Sequence, residues 1–127
     1  MSKLSTSLHI GIFAQNGQFD VLGKWALSLE KAFLSLGHTT CLLSCDDNQI
    51  LSGQFQSQKF DFTIGFNIPP RFLIEEELFF EALRIPHVAF FVDHPFDNYF
   101  GFQLRKRPQF LLVSTVCSSY YQDLIEV

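Results

Sequence analysis

Apolar and polar positions along this chain change in blocks rather than residue by residue. A short apolar run, "SLHIGIFAQ" (7–15), predicts a strand over about 8–14. "HTTCLLSC" (38–45) is rich in β-formers and runs into Asp46-Asp47-Asn48, and "KFDFTIGFN" (59–67) is closed by Pro69-Pro70, which central strands and helices both exclude. "PHVAFFVD" (86–93) and "QFLLVSTV" (109–116) are almost continuously apolar, as strands are when a parallel sheet is covered on both faces. Between these runs the spacing changes. In "FDVLGKWALSLEKAFLSLG" (19–37), Leu22, Trp25, Ala26, Leu29, Ala32, Phe33 and Leu36 recur three and four apart, with Asp20 as N-cap and Gly37 as stop. "RFLIEEELFFEALR" (71–84) reads as a second helix with Glu75, Glu76 and Glu77 near its start. "NQILSGQFQSQ" (48–58) reads as a short irregular helix weakened by Gly53. A partly helical crossover over 96–107 and a Ser-capped helix over 118–127 complete the series.

Strand and helix thus alternate five times, which predicts an α/β fold: a Rossmann-like three-layer sandwich with about five parallel strands and helices on both faces. No linker, internal repeat or low-complexity segment interrupts the 127 residues, a length that suits one domain.

This fold directs attention to the strand ends, because open parallel sheets bind ligands beyond the carboxyl ends of their strands, where strand order reverses. Those ends carry Gln15-Asn16-Gly17, Asp46-Asp47, Asn67, Asp93-His94 and the stretch from Thr115 to Tyr120. A 3-2-1-4-5 order would bring "AQNGQ" and "VDHPFDN" face to face. Asp93 and His94 are then candidates for taking a proton from a hydroxyl nucleophile, with Pro95 holding the chain extended at its exit. The plainer alternative is an Asp that caps the next helix and a His at the surface. Asp93, His94 and Asp97 match no familiar metal spacing, and His9, His38 and His87 fall at the wrong strand ends, so no metal is expected. His9 and His87 read as strand-start residues.

Composition narrows the picture. Hydrophobic residues make up 47% of the chain and include 16 Phe, enough for wide apolar layers and for an apolar surface that meets another domain. A net charge of −4 does not favour nucleic acid or an anionic membrane, and Arg105-Lys106-Arg107 reads as a solvated helix end. Cys41, Cys45 and Cys117 are odd in number and lack metal spacing, which fits reduced thiols in a cytoplasmic protein. The N-terminus has neither a signal peptide nor a membrane span. There is no G-x-G-x-x-G, no P-loop and no G-x-S-x-G elbow, which disfavours standard dinucleotide, P-loop and α/β-hydrolase chemistry.

The stretch "HIGIFAQNGQFDVLGKWALSLEKAFLSLGHTTCLL" resembles the opening of a GT-B glycosyltransferase: strand, polar glycine-bearing loop, long helix, and "LGH" before strand two. "IPHVAFFVDHPFDNY" is similar to a segment of the spore-maturation-protein-like glycosyltransferases, where an "IP…VDDP"-type stretch follows strand four. His94 stands here in place of the second acid. The resemblance implies an N-terminal, acceptor-side domain, the first half of a longer two-domain protein. The nucleotide-sugar donor would be held by a C-terminal domain beyond this chain, the acceptor is unspecified, and neither metal nor other cofactor is needed. Asn16, Gly17, Asp93 and His94 would line the acceptor side. Gln15, Asn67, Asp97, Asn98 and Ser118 sit on the same set of strand-end loops and complete the candidate substrate-binding residues. The rival expectation is a stand-alone Rossmann-like binding or protein-interaction module. A receiver-type module is disfavoured, because "AQN" lacks the acidic pair and Asn67 replaces a phosphoacceptor.

Overall fold

The computed structural model describes residues 6–14, 21–44, 47–66, 73–74, 77–91 and 109–115. Their fold is α/β and Rossmann-like: a five-stranded, all-parallel sheet with helices. The sheet comprises β1 (His9–Ala14), β2 (Thr39–Ser44), β3 (Phe62–Phe66), β6 (His87–Phe91) and β7 (Leu111–Thr115), in the order β2-β1-β3-β6-β7. A separate two-stranded pairing joins β4 (Leu73–Ile74) to β5 (Glu77–Leu78). The helices are α1 (Val21–Ser35), α2 (Asn48–Ser57) and α3 (Phe79–Leu83). Counting main-sheet strands along the chain, the order is 2-1-3-4-5 and not the expected 3-2-1-4-5. The third strand pairs on the far side of β1, so the first and fourth strands are not neighbours. The expected facing of "AQNGQ" and "VDHPFDN" loses its basis. Hydrophobic patterning does not say which side of a sheet a crossover returns to.

The chain divides into two compact units, Met1–Thr63 and Ile64–Val127. In the first, β1 and β2 pair in parallel from His9↔Thr39 to Ala14↔Ser44. Ile10, Ile12 and Phe13 of β1 are buried with Ala26, Leu43, Leu51 and Phe60. Successive buried residues on β1 mean that both of its faces are covered. Gly11 in the middle of that run has a steric reason: a Cβ there would lie 2.6 Å from Leu43 Cδ1 and 3.1 Å from Thr63 Cγ2, and both of those residues are buried.

Helix α1 buries a narrower stripe than its periodicity predicts. Ala26 is fully buried, whereas Trp25 of the predicted inner face is exposed, and Leu36, just past the helix end, is exposed by 72%. Its end follows the sequence reading closely. Gly37 adopts φ +92, its N–H donates to the Leu34 carbonyl (3.1 Å), and the His38 N–H donates to the Phe33 carbonyl (3.1 Å). This is a Schellman closure, accompanied by the expected side-chain contact: the Phe33 and His38 rings meet edge-on at 6.3 Å. Asp20, the expected N-cap, lies outside the described residues. Helix α2 is regular over ten residues rather than irregular, with Gly53 exposed and Leu51 buried.

In the second unit β6 and β7 pair in parallel from His87↔Leu111 to Phe91↔Thr115. The helix expected over 71–84 shrinks to five residues, because β4 and β5 form an antiparallel pair with Leu73↔Leu78 and Ile74↔Glu77 in register. The sequence holds the reason: both positions that would continue a helical stripe from Leu73, three and four residues on, are Glu. Helix α3 ends on Arg84 at φ 55, with the Ile85 N–H donating to the Phe80 carbonyl (3.1 Å). The approach to β7 is fastened to it. The Phe110 N–H donates to Glu81 Oε1 (2.6 Å), the Arg84 guanidinium lies 5.2 Å from the centre of the Phe110 ring, and the His87 N–H donates to the Phe110 carbonyl (2.8 Å).

Phenylalanine supplies much of the core. Phe13, Phe60, Phe79 and Phe80 are buried, and the large exposed apolar residues among those described are Trp, Leu and Ile. His87 is fully buried at the start of β6, stacked on Phe80 (5.1 Å, 9°) and edge-on to Phe79 (5.3 Å, 73°). Burial disfavours the imidazolium and lowers its pKa from 6.5 to about 3.

Two expectations follow from these packings. Gly11→Ala forces Leu43 to move and lowers unfolding free energy by about 1–3 kcal/mol in urea titrations; an unchanged midpoint would contradict the close approach. Below pH 6.5 the unfolded chain takes up a proton on residue 87 that the folded chain refuses until about pH 3. This contribution is therefore intact above pH 6.5 and is lost as pH falls, by up to ~1.4 kcal/mol per pH unit. Urea titrations at several pH values should show His87→Phe with a shallower acid slope than the parent, whatever its absolute stability.

Candidate functional site

The residues singled out by sequence all follow the ends of sheet strands. Gln15, Asn16, Gly17, Asn67, Asp93, His94, Asp97, Asn98 and Ser118 themselves lie outside the described residues, as do Asp46, Cys45 and Cys117. What is described is the framework that carries them. Gln15 directly follows Ala14, the last residue of β1, and Asn67 directly follows Phe66, the last of β3. Asp93 comes two positions after the end of β6 at Phe91, and Ser118 three after the end of β7 at Thr115. In the first unit Ala14 and Ser44 are register partners, so the chain leaves β1 and β2 at one edge. In the second unit Phe91 and Thr115 are partners in the same way.

At the β2 end, the described polar groups serve the backbone. Asp47 is the N-cap of α2: its Oδ1 accepts from the Gln49 N–H (2.9 Å) and the Ile50 N–H (3.1 Å), and its own N–H donates to Ser44 Oγ (3.2 Å). Asp47 is thus committed to capping a helix, while its neighbour Asp46 lies outside the described residues.

The histidines at the opposite, amino-terminal ends of the strands are structural, as the sequence reading expects of His9 and His87. Both begin strands. His9 stacks on Phe60 at 4.9 Å, with Nδ1 2.7 Å from Thr39 Oγ1 and Nε2 2.7 Å from Gln58 Oε1. The Gln58 carbonyl oxygen can only accept, which places the ring proton on Nε2 and lets the Thr39 hydroxyl donate to Nδ1. The His9 N–H donates to Asp61 Oδ2 (2.8 Å) and the Asp61 N–H to the His9 carbonyl (2.8 Å). His38 Nδ1 accepts from the Leu8 N–H (3.1 Å). The Cys41 thiol is free and half-buried, accepting from Gln58 Nε2 (3.4 Å). Among the described residues no group of three or more His, Cys, Asp or Glu is placed to hold a metal ion.

Sequence reasoning missed this network because its members are separated by 30 residues for His9 and Thr39 and by 49 for His9 and Gln58. No local pattern marks them.

Because capping needs a side-chain acceptor and not a charge, Asp47→Asn should stay within a few tenths of a kcal/mol of the parent while Asp47→Ala loses about 1 kcal/mol. Thermal unfolding of both variants checks this, and an equal loss in each would point to a role for the carboxylate charge.

No family model, no curated protein and no solved structure matches the chain.

Proposed function

We propose that the chain is the acceptor-side, N-terminal domain of a GT-B type glycosyltransferase, which moves a sugar from a nucleotide-sugar donor to a hydroxyl acceptor. The observation that carries the reading is positional. Every candidate polar residue follows the carboxyl end of a parallel strand, which is the end at which such sheets bind ligands. The resemblance of residues 9–43 and 85–99 to that superfamily supplies the chemistry. A helix of "LGH" type also fits: Leu36-Gly37-His38 closes α1, and His38 then holds the Leu8 N–H at the start of β1.

In this reading Asp93 or His94 takes the proton from the acceptor hydroxyl as its oxygen attacks the anomeric carbon. The bond from that carbon to the nucleotide's terminal phosphate oxygen breaks, and the nucleotide leaves with the electron pair. Gln15, Asn16, Gly17, Asn67, Asp97, Asn98 and Ser118 orient the acceptor. A C-terminal domain of the longer protein holds the donor, and the work is done in the cytoplasm without a metal.

A protein-interaction module of the same fold is favoured by one observation. Helix α1 presents Trp25, Leu27 and Leu34 to solvent, apolar surface of the kind a protein partner covers. The test separates the two. The protein is isolated from its own cells, its intact mass is measured, and it is assayed with labelled nucleotide sugars. The glycosyltransferase reading expects a mass well above that of 127 residues and turnover that falls about 10²–10⁴-fold in Asp93→Asn or His94→Ala, or in both. A native mass equal to this chain's, or turnover indifferent to both substitutions, sinks it.

A further inference from the structure

Among the described residues the last strand of the sheet on the first unit's side is β2, and an edge strand presents backbone N–H and C=O groups that other strands can pair with. Successive residues of a strand direct these groups to opposite sides. On β2 the Thr39 N–H donates to the Leu8 carbonyl at the start of β1 (2.9 Å), so odd-numbered residues point their backbone groups at β1. Thr40, Leu42 and Ser44 point theirs away from it.

Two of those outward groups are met by one side chain. The Ser44 N–H donates to Gln54 Oε1 (3.1 Å), and Gln54 Nε2 donates to the Leu42 carbonyl (2.9 Å). A carbonyl and an N–H separated in this way are the pair that a single residue of a neighbouring parallel strand would engage, giving its N–H to residue 42 and accepting from residue 44. The Gln54 carboxamide carries the same donor and acceptor. Helix α2 holds it in place: Asp47 caps the helix, Leu51 anchors it in the core, and Gln58, one turn on, reaches Cys41 Sγ (3.4 Å) on the same strand.

We propose that Gln54 is a surrogate strand residue, which occupies the outward Leu42 carbonyl and Ser44 N–H of β2 and so blocks a strand of a second copy of this chain from pairing there. The device acts at the carboxyl end of the strand, on the Leu42 carbonyl and the Ser44 N–H.

The experiment compares the parent with Gln54→Ala and Gln54→Met by residue-resolved amide hydrogen exchange and by sedimentation over a range of concentrations. Both substitutions suit a helix, and Met keeps the bulk without the carboxamide. The proposal expects exchange at the Ser44 amide to rise about tenfold in both variants. Exchange at Leu43, whose N–H faces β1, should stay within twofold of the parent, and concentration-dependent dimers should appear that the parent does not form. Equal acceleration at Leu43 and Ser44 would assign Gln54 to general stability and overturn the proposal. So would an unchanged Ser44 rate, or variants that expose the Ser44 amide yet stay monomeric throughout.

Discussion

Two parallel strands cannot be joined by a tight turn, because the chain must travel the length of the pair before it can start again in the same direction. In the first unit that constraint decides nearly everything else. The return from Ala14 to Thr39 is made by a 15-residue helix, and the register His9↔Thr39 is reached only if that helix stops at the right residue. Gly37 provides the stop with a backbone conformation that side-chain-bearing residues disfavour. His38 then makes the stop specific: its ring contacts Phe33 in the last turn and its Nδ1 accepts from the Leu8 N–H, one residue before β1. The short segment 36–38 therefore ends a helix and sets the level at which two strands begin.

A second consequence concerns where polar groups can be afforded. The amino-terminal ends of the strands are crowded with fastening. His9, Thr39, Gln58 and Asp61 are hydrogen-bonded to one another or to adjacent backbone. In the second unit Glu81, Arg84 and the His87 backbone converge on Phe110. Groups so engaged have little capacity left for a ligand. Their imidazoles are ring-stacked parts of the core margin, His9 on Phe60 and His87 on Phe80. Among the described residues these histidines serve the fold, so the proposal rests instead on Asp93 and His94, which follow β6 in the sequence.

How much of this the sequence disclosed depended on range. Features written within one turn or one strand were legible: the stop at Gly37, the five strand cores, and the strand-start positions of His9 and His87. Features that needed a partner far along the chain were not. Trp25 and Leu36 have the spacing of an inner face, yet the sheet that α1 packs on admits only a narrower stripe centred on Ala26. Residues 71–84 read as a helix with Glu75, Glu76 and Glu77 near its start, where acids suit the dipole. That same run interrupts the stripe after Leu73 and leaves room for a β4–β5 pairing. The strand order could not be read from periodicity, since a crossover to either side of β1 uses the same alternation of strand and helix.

The two kinds of edge in this fold help to explain the unusual role of glutamine. Lateral edges need to be closed, and the ends of the strands need to stay available. Charged side chains would deter pairing on a lateral edge, but on β2 the outward backbone groups are a donor and an acceptor within one side chain's reach. A carboxylate would match only the donor and a lysine only the acceptor; the carboxamide matches both without bringing a charge beside the half-buried Cys41 thiol. Asparagine has the same amide on a shorter stem. From a helix laid beside the strand, the longer glutamine side chain spans the gap at both position 54 and position 58. Gln54 on α2 and Gln58 at its C-cap thus fasten one helix to β2, the first through the outward backbone groups of Leu42 and Ser44 and the second through the Cys41 thiol.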